Sequence, residues 1–456
     1  MLLLSLFPSS PSQTGVMPLR VEGDWSVQVG PGSIIRNGTR IKVSKKETLQ
    51  VSPPNRVEVR DERIAPLPVF NPGAGGWRKG ARLNHLITVE CSATGLLYPE
   101  TVRVKAASGE GPCFVRGSDY DMDDLWGTVG RLEKGGIGEA QPVFIDYDYS
   151  LSRLDSVVAD LHGKVRIVDG TPGIALVMPP VLEKGEVALG NIWVPGRTEK
   201  ITDENLLPIM EDHPKTRRVD LAKVESQLPK TLGKLRAGKP VRIVAWGDSV
   251  TDGGGVENHP EERYQALFAR MLGEQFPNAK VDLLTAAWGG SSSRHYLEAP
   301  AGGPKDFVRD VLDPKPDLVT IEFVNDAYLT EEETQTHYAM ILDRLQGNGS
   351  EVILITPHLV RPDWMGITSL KLEEDPRPYV KGLKRFASEQ NVALADAGQA
   401  WVNLWKQGIP YVTLEANSIN HPDARGHRIF ADALMELFPK TKTAAPKRKP
   451  FPRAWR

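Results

Sequence analysis

Only two cysteines, Cys91 and Cys113, occur in the 456 residues, so no disulfide framework organises this chain. The pair leaves two readings open, a bridge in an oxidising compartment or two free thiols. No Cys/His grouping has zinc-ligand spacing, and there is neither a dinucleotide fingerprint nor a phosphate loop. Nothing therefore implies a metal or a cofactor. An excess of one charge is also missing. The 56 Lys+Arg and 58 Asp+Glu leave a formal net charge of −2, which argues against broad nucleic-acid binding. The exception is local: residues 440–456 carry Lys440, Lys442, Lys447, Arg448 and Lys449 among Pro and Ala, and read as a solvated, disordered tail. No apolar run is long enough to span a bilayer. Residues 1–15 open on Leu2-Leu3-Leu4-Ser5-Leu6-Phe7 and turn Ser/Pro-rich, which fits a signal remnant or a frayed terminus. The first of these would make the chain secreted or periplasmic.

What is present falls into two halves. Over residues 16–218, period-two alternation recurs between Gly and Pro punctuation. Ile41/Val43, Ile87/Val89/Cys91, Val102/Val104 and Val143/Ile145/Tyr147/Tyr149 read as strands. So do 165–168, 174–178 and 187–194. Many short strands with few helical patterns predict a β-rich domain of β-sandwich type. Over residues 219–439 short apolar strands alternate with amphipathic helices instead. The strands are expected at 241–246, 281–287, 318–323, 352–355 and 392–395, after a lead-in helix broken at Pro229. Apolar strands alternating with helices predict a parallel sheet covered on both faces. Ligands of such sheets sit at the carboxyl ends of the strands.

Four motifs fall at those ends. Gly247-Asp248-Ser249 follows the first strand, at a turn that can expose a hydroxyl nucleophile. Trp288-Gly289-Gly290-Ser291 follows the second, where a glycine N–H can meet a developing oxyanion. Asn325, after the third, offers a side-chain amide for the same purpose. Asn420-His421-Pro422-Asp423 precedes the last helix, where a loop histidine can fold back onto the nucleophile as its base. Each motif alone is also an ordinary turn or helix cap.

Their joint order, Ser, Gly, Asn, His, resembles that of the SGNH (GDSL-like) hydrolase family over roughly residues 235–439. The resemblance implies a flavodoxin-like three-layer α/β/α domain with parallel sheet and a serine esterase working through an acyl-enzyme. It implies Ser249 as nucleophile and His421 as general base. The Ser249 and Gly290 N–H groups and the Asn325 amide would form the oxyanion hole. Asp248 has a structural role in that pattern. One position departs from it: where the family has an aspartate three residues before the histidine, this chain has Ser418. Either a Ser–His dyad runs with a neutral orienter, or Glu415, Asn417 or Asp423 takes that place.

Trp288, His358, Trp364 and Met365 lie on loops after predicted strands and are candidates to line the substrate cleft. Asp119, Asp121, Asp123 and Asp124 form an acidic cluster. Asp124 and Gly130 stand where a calcium loop starting at Asp119 needs Gly and Glu, so the cluster reads as a solvated turn. A β-rich module beside such a hydrolase suits removal of acetyl groups from a polysaccharide. Lipid or aryl esters, or a non-catalytic carbohydrate-binding role, are the alternatives.

Overall fold

The computed structural model describes residues 15–36, 38–211 and 219–438. The basic tail, and all of the amino-terminal apolar segment before Gly15, lie outside them. No helix among the described residues is long and apolar enough to cross a membrane.

The N-terminal half is built from antiparallel sheets around two apolar cores. Strands Leu19–Gly23, Ser26–Val29 and Glu47–Gln50 form one sheet. Val165–Val168, Arg153–Ala159, Val187–Val194 and Leu206–Pro208 form another. Val27, Ile41, Val157, Leu189 and Ile192 fill the space they share. Between these strands in sequence comes a second unit. Its sheets are Arg56–Ile64 with Val143–Ser150 and Leu97–Lys105, and Ala81–Arg82 with Thr128–Arg131 and Tyr120–Asp123. Leu83, Val104, Val129, Ile145 and Tyr147 form its core. Alternation locates strands one at a time and says nothing of which strands share a core, so one β-rich stretch of sequence conceals two.

Two expected strands are absent. The 174–178 run has prolines at 172, 179 and 180, which deny ladder donors, and Leu176 sits at φ 54°. The Ile87/Val89/Cys91 alternation is a tight turn closed by Thr88 N–H donating to the Cys91 carbonyl at 2.8 Å. The acidic cluster is engaged locally. Asp119 accepts from the Val115 and Gly136 amides, Asp123 pairs with Lys79, and Arg116 pairs with Asp121 and Asp124.

In the C-terminal half five parallel strands lie in the order Val281–Ala287, Val241–Gly247, Leu318–Glu322, Glu351–Ile355, Ala393–Ala395. Ile243, Leu318 and Ile353 face one helical layer, which includes Tyr264–Gln275 and Ala424–Met435. Val244, Val319 and Leu354 face the other, with Glu331–Gly347 and Pro378–Glu389. Both faces of Leu318–Glu322 and of most of Val241–Gly247 and Glu351–Ile355 are buried, hence their near-continuous apolar runs, whereas the edge strand Val281–Ala287 is only partly covered and leaves Leu284 exposed. The lead-in is two helices, Leu221–Gln227 and Pro229–Arg236. After its first strand the chain steps to one side, then crosses to the other. The crevice this reversal opens lies at the carboxyl ends of Val241–Gly247 and Leu318–Glu322.

Candidate active site

Ser249 opens a single helical turn, Ser249–Asp252, directly at that crevice. Asp248 before it is fully buried. Its carboxylate accepts from the Val250 N–H at 3.1 Å and from the Asn325 N–H at 3.0 Å, tying the Ser249 turn to the loop after the third strand. Burial pushes this carboxyl up to about 7, and it raises the adjacent buried Glu322 and Asp326 as well. The folded state therefore holds the Asp248 proton more tightly than the unfolded chain does. The stability linked to it is full below the ordinary value of 3.8 and is lost as pH rises through about 7. Asp248→Asn is expected to flatten the decline in melting temperature between about pH 5 and pH 8, which thermal unfolding across that range would reveal.

His421 lies on the loop before Ala424–Met435, and its Nε2 is 2.9 Å from Ser249 Oγ. Asn417 shapes this loop: its Oδ1 accepts from the N–H groups of Ile419, Asn420 and His421. His358 Nε2 lies 2.8 Å from the Asn420 carbonyl. A carbonyl only accepts, so Nε2 carries the proton. Gly254 underlies the imidazole. A Cβ there would fall 2.8 Å from His421 Nδ1 and 2.9 Å from Cε1, and one on Gly255, at φ +92°, would fall 2.4 Å from the Pro422 carbonyl oxygen. The Gly253–Gly255 run thus lets backbone pass against the ring. Gly254→Ala is expected to push the imidazole off line and cut kcat by about a hundredfold, with an unchanged circular-dichroism spectrum.

Gly290 and Asn325 line a cavity of about 430 Å³ with Ser292, Arg294, His295, Glu298 and Tyr328. Gly290 takes φ +69°, a conformation glycine adopts without strain. Gly289 is also close: a Cβ on it would stand 3.8 Å from that of Ser249. One Asn325 Nδ2 hydrogen goes to the Ser291 carbonyl at 3.1 Å. That fixes the amide and leaves its second hydrogen to aim elsewhere.

Residues 245–429 match the GDSL-like Lipase/Acylhydrolase family. The C-terminal half carries a GDSL-like lipase/acylhydrolase domain. No curated protein matches the chain. Among solved structures, a two-domain esterase active on acetylated mannans is 18% identical, with 50% of this chain covering 58% of that one at a TM-score of 0.38. An acetylxylan esterase from Geobacillus stearothermophilus is 21% identical, with 43% of this chain covering 94% of that one at a TM-score of 0.34. The chain thus spans less than two thirds of the first of these.

Several candidates fall elsewhere in the acylhydrolase domain than the sequence suggested. Glu415 is 1% exposed, and neither carboxylate oxygen finds a hydrogen bond; His358 Nε2 lies 3.9 Å from it, beyond hydrogen-bond distance. Burial raises its carboxyl well above the usual range. It is not the orienter of His421. Asn417 holds the loop backbone rather than the ring. Asp423 caps the last helix and pairs with Arg425. His358 is wholly buried under the loop, its ring tilted against Trp401, and is no cleft residue; desolvation pushes its ring well below the ordinary imidazole value. Trp364 is exposed and lies over Arg361, and Met365 packs against the core. Trp288, 46% exposed, stands beside Gly289 at the site. Both cysteines are free, Cys91 buried and Cys113 exposed.

The acid beside His421 comes from the other half of the chain. Glu90 Oε2 stands 2.7 Å from Nδ1. The approach is bent rather than linear, so it is an ion-pair contact first and a hydrogen bond second. Nothing at position 90 distinguishes it in the sequence from any other polar residue of a presumed strand.

Proposed function

We propose that the chain hydrolyses carboxylic esters through an acyl-enzyme on Ser249, with an acetylated glycan as substrate. The observation that carries this is the 2.9 Å contact between Ser249 Oγ and His421 Nε2. His421 takes the hydroxyl proton as Oγ attacks the ester carbonyl. The oxyanion is received by the N–H groups of Ser249 and Gly290 and the Asn325 amide. His421 returns its proton to the leaving alcohol, then takes one from water as the acid is released.

The cavity favours a sugar over a long acyl chain. Arg294, His295, Glu298 and Ser292 offer hydrogen-bonding groups where a lipid tail needs an apolar lining. Tyr328 lines it with an exposed ring, on which the C–H face of a sugar can pack. A secreted or periplasmic location suits such a polymer. The rival non-catalytic reading rests on Ser418 alone.

Acetate release from acetylated mannan and xylan, set beside p-nitrophenyl acetate and palmitate, tests the proposal. Release from the polymers with little palmitate turnover is expected. A preference for palmitate would refute the glycan assignment. No hydrolysis of any substrate, with Ser249 inert to a fluorophosphonate, would end the hydrolytic reading.

A further inference from the structure

We infer that Glu90, carried by the N-terminal half, is the carboxylate that orients His421, so that the active site is completed across the two halves of the chain. This rests on the hydrolytic reading above and adds to it a positioning residue outside the acylhydrolase domain.

Four observations support it. First, geometry: Glu90 Oε2 lies 2.7 Å from His421 Nδ1, on the side of the ring away from Ser249. A proton held on Nδ1 by this carboxylate leaves Nε2 free to accept the serine proton. Second, Glu90 is placed by its surroundings. Its Oε2 also accepts from Asn417 Nδ2 at 3.1 Å, and Arg82 Nη1 donates to its backbone carbonyl at 2.8 Å. Cys91 Sγ donates to the Asn417 carbonyl at 2.5 Å, joining the Glu90 turn to the His421 loop. Beneath that junction Cys91, Trp126 and Ile419 pack in one apolar cluster drawn from both halves. Third, other acids are committed or remote. Ser418, at φ +57°, carries no charge, Asp423 is paired with Arg425, and Glu415 is buried against His358. Fourth, the 2.7 Å contact with His421 Nδ1 holds the Glu90 carboxyl below the usual range, and its side chain remains 47% exposed. It is therefore an anion at neutral pH. When His421 gains the serine proton, the imidazolium faces a negative charge, and Glu90 keeps its own ionisation throughout.

The test compares full-length wild type, Glu90→Gln and Glu90→Asp on p-nitrophenyl acetate, with melting temperatures alongside. Glu90→Gln is expected to lower kcat by about a hundredfold or more, with KM within about twofold. The acid limb of its kcat/KM profile should move to lower pH, because an imidazolium without its counter-charge deprotonates more readily. Glu90→Asp, which keeps the charge, should fall between the two. Wild-type turnover that persists within about threefold in Glu90→Gln, with the acid limb unmoved, would overturn the inference alone. A loss that merely follows a fall in melting temperature, with no movement of that limb, would overturn it too. Absence of wild-type hydrolysis would instead remove the hydrolytic reading and this inference together.

Discussion

Ser249→Ala is expected to lower kcat on p-nitrophenyl acetate by on the order of 10⁵- to 10⁶-fold, the size seen when a nucleophile acting as one unit with its base is removed. The loss is chemical. Alanine has no atom to form the acyl bond, and His421 Nε2 loses the hydroxyl it contacts at 2.9 Å. The fold should not register the change. The helical turn that begins at Ser249 is capped by Asp248, and the backbone N–H groups stay in place. An unchanged melting temperature with fluorophosphonate labelling abolished is the expected pair of results. More than about 1% residual turnover in Ser249→Ala would mean that another group carries the chemistry.

Asn325→Ala should cost two to three powers of ten in kcat with little change in KM, roughly the effect of removing one oxyanion donor. The selectivity for kcat follows from timing: the amide gains most from charge that exists on the oxygen only in the transition state. The backbone contribution survives, since the Asn325 N–H still donates to Asp248. Asn325→Asp should be worse than alanine, because a carboxylate would face the developing oxyanion. If Asn325→Ala instead raised KM and left kcat intact, the side chain would be a substrate-binding group and the oxyanion assignment would fail.

The parallel sheet and the positions of its motifs were readable in advance because each depends on short-range pattern. The run Val352–Ile355 is apolar since both faces of that strand are covered, and sequence alone shows the run. Ser249, Gly290 and Asn325 follow strands, so reading the strands placed them at one rim. The glycines after Ser249 were a missed signal. Three in succession mark backbone that something must approach closely, and at Gly254 that something is the His421 ring. The turn around Glu90 was misread as a strand because Ile87, Val89 and Cys91 alternate, yet Cys91 is buried at the junction of the two halves and Val89 is exposed at the tip.

Sequence by itself determined the α/β character of the C-terminal half, the rim where its motifs gather, and Ser249 and His421 as the pair to examine. The first two rest on local periodicity, and the pair rests on the joint order of four motifs and the family resemblance that order carries. Tertiary structure alone decided which carboxylate meets His421, and that the β-rich half contains two cores. Glu90 and His421 are far apart along the chain, and no periodicity connects them. Only the packing of one half against the other, through Cys91, Trp126 and Ile419, brings that charge to the ring.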